Sequence, residues 1–167
     1  MKTSENKEIS AKPDFDPIVR KNTAINYFKQ GYNCSQAVIA AYSDIIDIPF
    51  EKAIMIGASF GGGMGRLREV CGAVSGMFTV VGLVKGYTSP TDNDAKKAHY
   101  ELIQALAGSF TKENGSIICR ELLNLQTNQP DSPKPEARTT EYYKKRPCAE
   151  LVGDAAEILA QYFSENY

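Results

Sequence analysis

Apolar side chains recur at three- and four-residue intervals along almost the whole chain, and two-residue alternation is scarce. That spacing gathers them on one face of an α-helix and leaves little from which to build a β-sheet. The punctuation agrees. A first helix is expected over residues 17 to about 30, opened by Pro17 and stopped by Gly31. Asn33 is placed to cap a second, running to about Ile46, and Pro49 precedes a third from Glu51 to about Ser59. The run Gly61-Gly62-Gly63-Met64-Gly65 breaks that one. A fourth helix is expected from Glu69 to Gly86, and a fifth from Thr91 or Asp92 to about Phe110. Ser116 should cap a short sixth to about Leu123, and Pro147 should open a last one to about Phe163. Residues 124–141, with Pro130, Pro133 and Pro135, read as one long loop. The expected fold is therefore all-α, a bundle of about six to seven helices with a glycine-rich central helix. It should form one domain over residues 17–167, behind a polar extension over residues 1–16.

Composition excludes several classes of function. With 43% of 167 residues hydrophobic, the chain has enough apolar material for one sizeable core. A net charge of -1 gives no general attraction to nucleic acid or to an acidic membrane. The longest uncharged apolar-rich stretch, residues 70–84, is short of the roughly 20 needed to span a bilayer. The first residues are polar, with no apolar signal core, so a cytoplasmic location is expected. In a reducing compartment, four cysteines read as metal ligands or working thiols rather than as structural bridges.

The fourth helix is unusual. Gly72, Ser75, Gly76, Thr79, Gly82 and Gly86 fall at offsets of 3, 4, 7, 10 and 14 from the first, which is a single stripe at 3.6 residues per turn. Glycine inside a helix costs about 0.8–1 kcal/mol relative to alanine, so close approach of another backbone must offset it. The stripe serves as a packing groove, as room for a cofactor, or as the means of placing the neighbouring cysteine. Gly62, Gly63, Gly72 and Gly76 are the glycines expected to face a bound group.

The cysteines are Cys34, Cys71, Cys119 and Cys148, with no CxxC pair among them. Each begins or shares an apolar helical stripe on a different expected helix, within about its first turn. Four helices around one core could therefore bring four sulfurs together. Free N–H groups and the positive end of the helix dipole favour a thiolate in that position. Cations flank three of the four: Arg66 and Arg68 before Cys71, Arg120 after Cys119, and Lys144-Lys145-Arg146 before Cys148. Cys71 or Cys148 is the expected nucleophile, with another of the four as the resolving thiol.

The runs Gly31-Tyr32-Asn33-Cys34-Ser35-Gln36-Ala37, Phe60-Gly61-Gly62-Gly63-Met64-Gly65 and Cys71-Gly72-Ala73-Val74-Ser75-Gly76 resemble the redox-active family of the C-GCAxxG-C-C type. Residues 115–123 and Pro147-Cys148 resemble its third and fourth cysteine segments. The resemblance covers about Ile18 to Phe163 and implies that Cys34, Cys71, Cys119 and Cys148 are the family's four cysteines. Gly72, Ala73 and Gly76 then complete its central motif. It further implies a role beside oxidoreductase or transporter systems, without fixing a reaction.

Two readings of the four-cysteine site stay open here. One is a thiol redox protein cycling between dithiol and disulfide, which calls for a redox partner, either a protein or a small-molecule reductant. The other is a zinc or iron–sulfur protein with the four cysteines as metal ligands. A purely structural helical module is the bland third. Other motifs are weak. No Lys-Ser or Lys-Thr follows Gly61-Gly65, so it is no P-loop, and the third glycine of a dinucleotide fingerprint is missing. His99, the single histidine, reads as a half-buried helix residue, and Tyr142 and Tyr143 read as a solvated loop. Apolar helix faces and glycine grooves are consistent with a homodimer.

Overall fold

The computed structural model describes residues 13–126 and 129–167, so most of the expected polar extension, residues 1–12, lies outside the described residues. The described chain forms α1 (Pro17–Lys29), α2 (Cys34–Ala40), α3 (Phe50–Gly57), α4 (Gly72–Lys85), α5 (Asn93–Asn114), α6 (Cys119–Leu122), α7 (Thr140–Lys145) and α8 (Cys148–Asn166). No strand is present among the described residues, only an isolated antiparallel bridge between Val70 and Ile118. The all-α expectation holds. None of the described helices is long and apolar enough to cross a membrane.

The core lies where α8, α1, α2 and α4 meet. Val152, Ala155, Ala156, Leu159 and Phe163 of α8 are buried against Ala24 and Phe28 of α1 and Ala37 and Val38 of α2. Tyr42 crosses this core and donates its hydroxyl to the Ala156 carbonyl at 2.6 Å. A Cβ on Gly153 would come within 2.8 Å of Ile25, so the α1–α8 contact depends on glycine there. Phe15, within the stretch expected to be a polar lead-in, packs on Phe163 with ring centroids 5.5 Å apart.

Several helix boundaries move for identifiable reasons. α2 ends at Ala40 rather than near Ile46, because buried Arg20 takes the Ala41 carbonyl at 2.6 Å and clamps Asp44 through both carboxylate oxygens at 2.7 Å. The following residues tighten into turns, with Tyr42 and Ser43 bonding to Ile39 and Ala40. α4 starts at Gly72 and not Glu69, since residues 69–71 pair with residues 117–119. α5 continues to Asn114, where Gly115 at φ +88° stops it. α7 starts at the end of the expected loop, residues 124–141, and runs beyond it. It is six residues long and starts where the Thr139 hydroxyl accepts from the Tyr142 N–H.

The glycine stripe of α4 divides into two parts. A Cβ on Gly76 would lie 2.7 Å from the Ser35 carbonyl oxygen and 3.1 Å from the Ser35 Cα and the Val38 Cβ, so α4 meets α2 backbone to backbone there. Around Gly82 nothing lies within 4 Å. Gly76→Ala should therefore destabilise the fold by about 1–3 kcal/mol, because backbone cannot yield as a side-chain tip can. Gly82→Ala should instead stabilise it by about 1 kcal/mol through helix propensity. Urea unfolding of the two variants checks this; equal effects would mean that the stripe is not a packing seam.

Candidate functional site

The turn between α3 and α4 is wound left-handed. Gly62, Gly63, Met64, Gly65 and Arg66 all have φ between 64° and 70°, and Arg68 has φ 62°. Met64, Arg66 and Arg68 pay a steric cost there of about 1–2 kcal/mol each, which glycine avoids. The arginines are held from across the molecule. Arg66 donates to the Ser132 carbonyl at 2.6 Å, and Arg68 donates to Asp131 at 2.6 and 2.8 Å. The turn thus pins the proline-rich loop before α7, and the two close over a cavity of about 310 Å³.

All four cysteines line that cavity, together with Gly62, Gly63 and Gly72. Gly76 does not; it sits deeper, against Ser35. The glycines at the wall allow the cysteine-bearing segments to approach. A Cβ on Gly63 would stand 2.5 Å from the Cys119 Cβ, and one on Gly72 would stand 3.0 Å from the Cys34 Cβ. Cys34 opens α2 behind a capping box in which the Asn33 side chain accepts from the Gln36 N–H and the Gln36 side chain accepts from the Asn33 N–H. Cys148 opens α8 directly after Pro147. The Cys71 N–H donates to Ile117 at 2.8 Å and the Cys119 N–H to Glu69 at 2.6 Å. Across an antiparallel bridge that register puts Cys71 and Cys119 diagonally on one face.

The thiols differ in character. Cys34 and Cys148 act on each other's ionisation more than any other pair in the cavity. The proximity of the two side chains holds Cys34 well above an ordinary thiol, reinforced by burial, and pulls Cys148 down to about 7 against its own burial. Arg146, a hydrogen bond from the Tyr142 hydroxyl and Arg138 also favour the Cys148 thiolate. Burial pushes the Cys71 thiol up to about 12, opposed only in part by the N–H groups of Ala73 and Val74 at the start of α4. Cys119 is also raised by burial, which the Arg68 guanidinium at 3.7 Å from its sulfur only partly opposes.

The expectation of a Cys71 thiolate is therefore corrected. Its flanking arginines turn elsewhere: Arg68 reaches Cys119 and Asp131, and Arg66 reaches the loop. Arg120 pairs with Glu69 rather than with a sulfur. Tyr142, expected on a solvated loop, is half-buried at the cavity, as is Arg138, whose role no local pattern announces. His99 is half-buried beside Tyr87 and outside the cavity.

As placed, the sulfurs do not fit a metal-ligand set. Among the described residues no three of Cys, His, Asp and Glu converge to hold a metal ion. The arrangement offers instead one thiol–thiolate pair, Cys34 with Cys148, and two more thiols further round the wall.

Comparison with curated proteins gives no match, and neither does comparison with solved structures. Residues 32–162 match the family described as Putative redox-active protein (C_GCAxxG_C_C). That span begins just before Cys34, ends beyond Cys148 and takes in every residue of the cysteine cavity named above, so this chain belongs to the C_GCAxxG_C_C family.

Proposed function

We propose that this protein performs thiol–disulfide exchange, with Cys148 as the attacking thiolate and Cys34 as the resolving thiol. What supports this reading is that Cys34 and Cys148 line one cavity and perturb each other in opposite senses, Cys148 lowered to about 7 and Cys34 raised. A thiol poised near ambient pH combines a high thiolate fraction with retained nucleophilicity. The Cys148 thiolate attacks one sulfur of a disulfide, and the other sulfur leaves as a thiolate. Cys34 passes its proton to that leaving thiolate and attacks the Cys148 sulfur. A Cys34–Cys148 disulfide forms, the second substrate sulfur departs as a thiolate, and the thiol–thiolate pair has given up one proton and two electrons. A dithiol reductant reverses the sequence.

Alkylation by iodoacetamide across pH 5–10, followed by peptide mass spectrometry, tests the assignment. Labelling of Cys148 should rise through a midpoint at about 7. Mild oxidation should join the peptides containing Cys34 and Cys148. Stoichiometric iron with sulfide, or zinc, bound by all four cysteines in protein prepared without air would overturn the reading.

Tyr142→Phe supplies a finer check. Its hydroxyl donates to the Cys148 thiolate, so its loss removes stabilisation from the charged form and moves the midpoint upward. At pH 7 the alkylation rate should fall roughly threefold to tenfold, corresponding to about 1–1.7 kcal/mol of lost thiolate stabilisation, within the range for one hydrogen bond. An unchanged profile would show that Tyr142 only fills space.

A further inference from the structure

The cavity wall carries more positive charge than its neighbours neutralise. Arg66, Arg68, Arg138 and Arg146 all line it, against Glu136 alone among acidic side chains. Asp131, just outside, pairs with Arg68 at 2.6 Å and with Arg66 at 3.5 Å. Glu136 pairs with Arg146 and lies 3.8 Å from Arg66. Arg138 donates to the carbonyl oxygens of Phe28 at 3.1 Å and Tyr32 at 3.3 Å, and its guanidinium lies over the rings of Phe28 and Tyr142. Those contacts fix its position and leave its charge uncompensated. Four cations thus face two carboxylates, and a Cys148 thiolate offsets only one of the remaining charges. A cationic surplus in a low-dielectric recess attracts and orients an anion. The remaining wall supplies an apolar bed, made by Leu122, Leu123, Pro133, Pro135 and Leu151.

We infer that the cavity takes a small organic disulfide bearing a carboxylate, with the anionic end drawn to Arg138 and the disulfide set against Cys148. This inference rests on the thiol-exchange reading and names its substrate class. A volume of about 310 Å³ is at the small end for a ligand pocket and suits a compact aliphatic body rather than a folded partner's side chains. The exchange is then balanced as follows. The Cys148 sulfur bonds to one substrate sulfur while the substrate S–S bond breaks, and Cys34 displaces that sulfur from Cys148. One substrate half leaves as a carboxylate-bearing thiol with the Cys34 proton and the other as a thiolate, the protein having given up that proton and two electrons.

Three disulfides of matched chain length and different charge test it: 3,3′-dithiodipropionate, bis(2-hydroxyethyl) disulfide and cystamine. Oxidation of the reduced protein at one pH should be fastest with the dianion and slowest with the dication. The two should differ by about tenfold or more at low salt, and the gap should narrow as salt is added. Arg138→Gln should compress the dianion-to-dication ratio and Arg138→Lys should largely restore it; the ratio cancels any change in thiolate fraction. Suberate, the carbon isostere of the dianion, should protect Cys148 from iodoacetamide where 1,8-octanediol does not. If Arg138→Gln does not fold, the charge series on the unaltered protein decides alone. Equal rates for the three disulfides, with no protection by suberate, would overturn the substrate class while leaving Cys148 as the exchanging thiol. Failure of all three to oxidise the protein, with Cys148 alkylating only near pH 9, would overturn both.

Discussion

Cys148→Ser should lower the rate of iodoacetamide labelling at pH 7 by about 50-fold, more than any other single cysteine change. A thiol with a pKa of about 7 is half ionised at that pH, whereas one left at the ordinary 9.0 is ionised to about 1%. The other three thiols lie above even that reference, Cys71 at about 12. The remaining labelling in Cys148→Ser is therefore slow and spread over buried positions. Cys71→Ser and Cys119→Ser should leave the rate within about twofold, since neither is among the leading causes of the Cys148 shift. Cys34→Ser is the informative contrast. Its hydroxyl can still donate to the Cys148 thiolate, so labelling survives, but a mixed disulfide on Cys148 then has no resolving partner and should accumulate as a stable adduct. Intact-mass measurement after exposure to a small disulfide reads that difference directly. Even labelling of the four cysteines at pH 7 would remove the basis for assigning Cys148 as the nucleophile.

What was legible in the sequence was local. Caps and stripes placed Cys34, Cys119 and Cys148 at helix starts because the signals lie within four residues of each sulfur. The requirement for close approach at Gly72 and Gly76 was also readable, since glycine in a helix interior demands a reason. The pairing of residues 69–71 with 117–119 was not, because a two-residue bridge has no period to detect. The same limit applies to the cations counted beside Cys71. Counting cations along the chain assigns Arg68 to Cys71, but the left-handed turn sends it to Cys119, 51 residues away. Positive φ at Met64 and Arg66 runs against intrinsic preference, and the bonds that hold it come from Asp131 and Ser132 across the fold. Tyr142 and Arg138 were invisible for a related reason: α7 is too short for a helical pattern, and its function lies in how it closes the cavity.

That left-handed turn is the place where a single methyl group should do the most structural damage to the site. Gly63 sits at φ +70°, where an L side chain costs about 1–2 kcal/mol before any contact is considered. A Cβ there would also overlap Cys119 Cβ at 2.5 Å, with the Arg68 Cα and Glu69 N both at 3.0 Å. Two of these three neighbours are backbone, and the segment is tied by the Glu69 N–H to the Gly63 carbonyl at 3.1 Å, so it cannot step aside cheaply. Gly63→Ala should therefore destabilise the protein by about 2–5 kcal/mol. Gly65→Ala isolates the backbone term. Gly65 has nearly the same φ, +64°, but the nearest atom to its Cβ is the Ser59 carbonyl oxygen at an ordinary 3.8 Å. Its cost should be about 1–2 kcal/mol. The two variants should separate further in chemistry. Moving residues 68–69 displaces Arg68 from Cys119 and unseats the bridge that carries Cys71, whereas Gly65→Ala leaves both in place. Labelling of Cys71 and Cys119 under native conditions should accordingly increase in Gly63→Ala and not in Gly65→Ala. Equal losses of stability in the two, with unchanged labelling, would mean that the turn is merely a connection and that the close packing of Gly63 on Cys119 does not build the cavity wall.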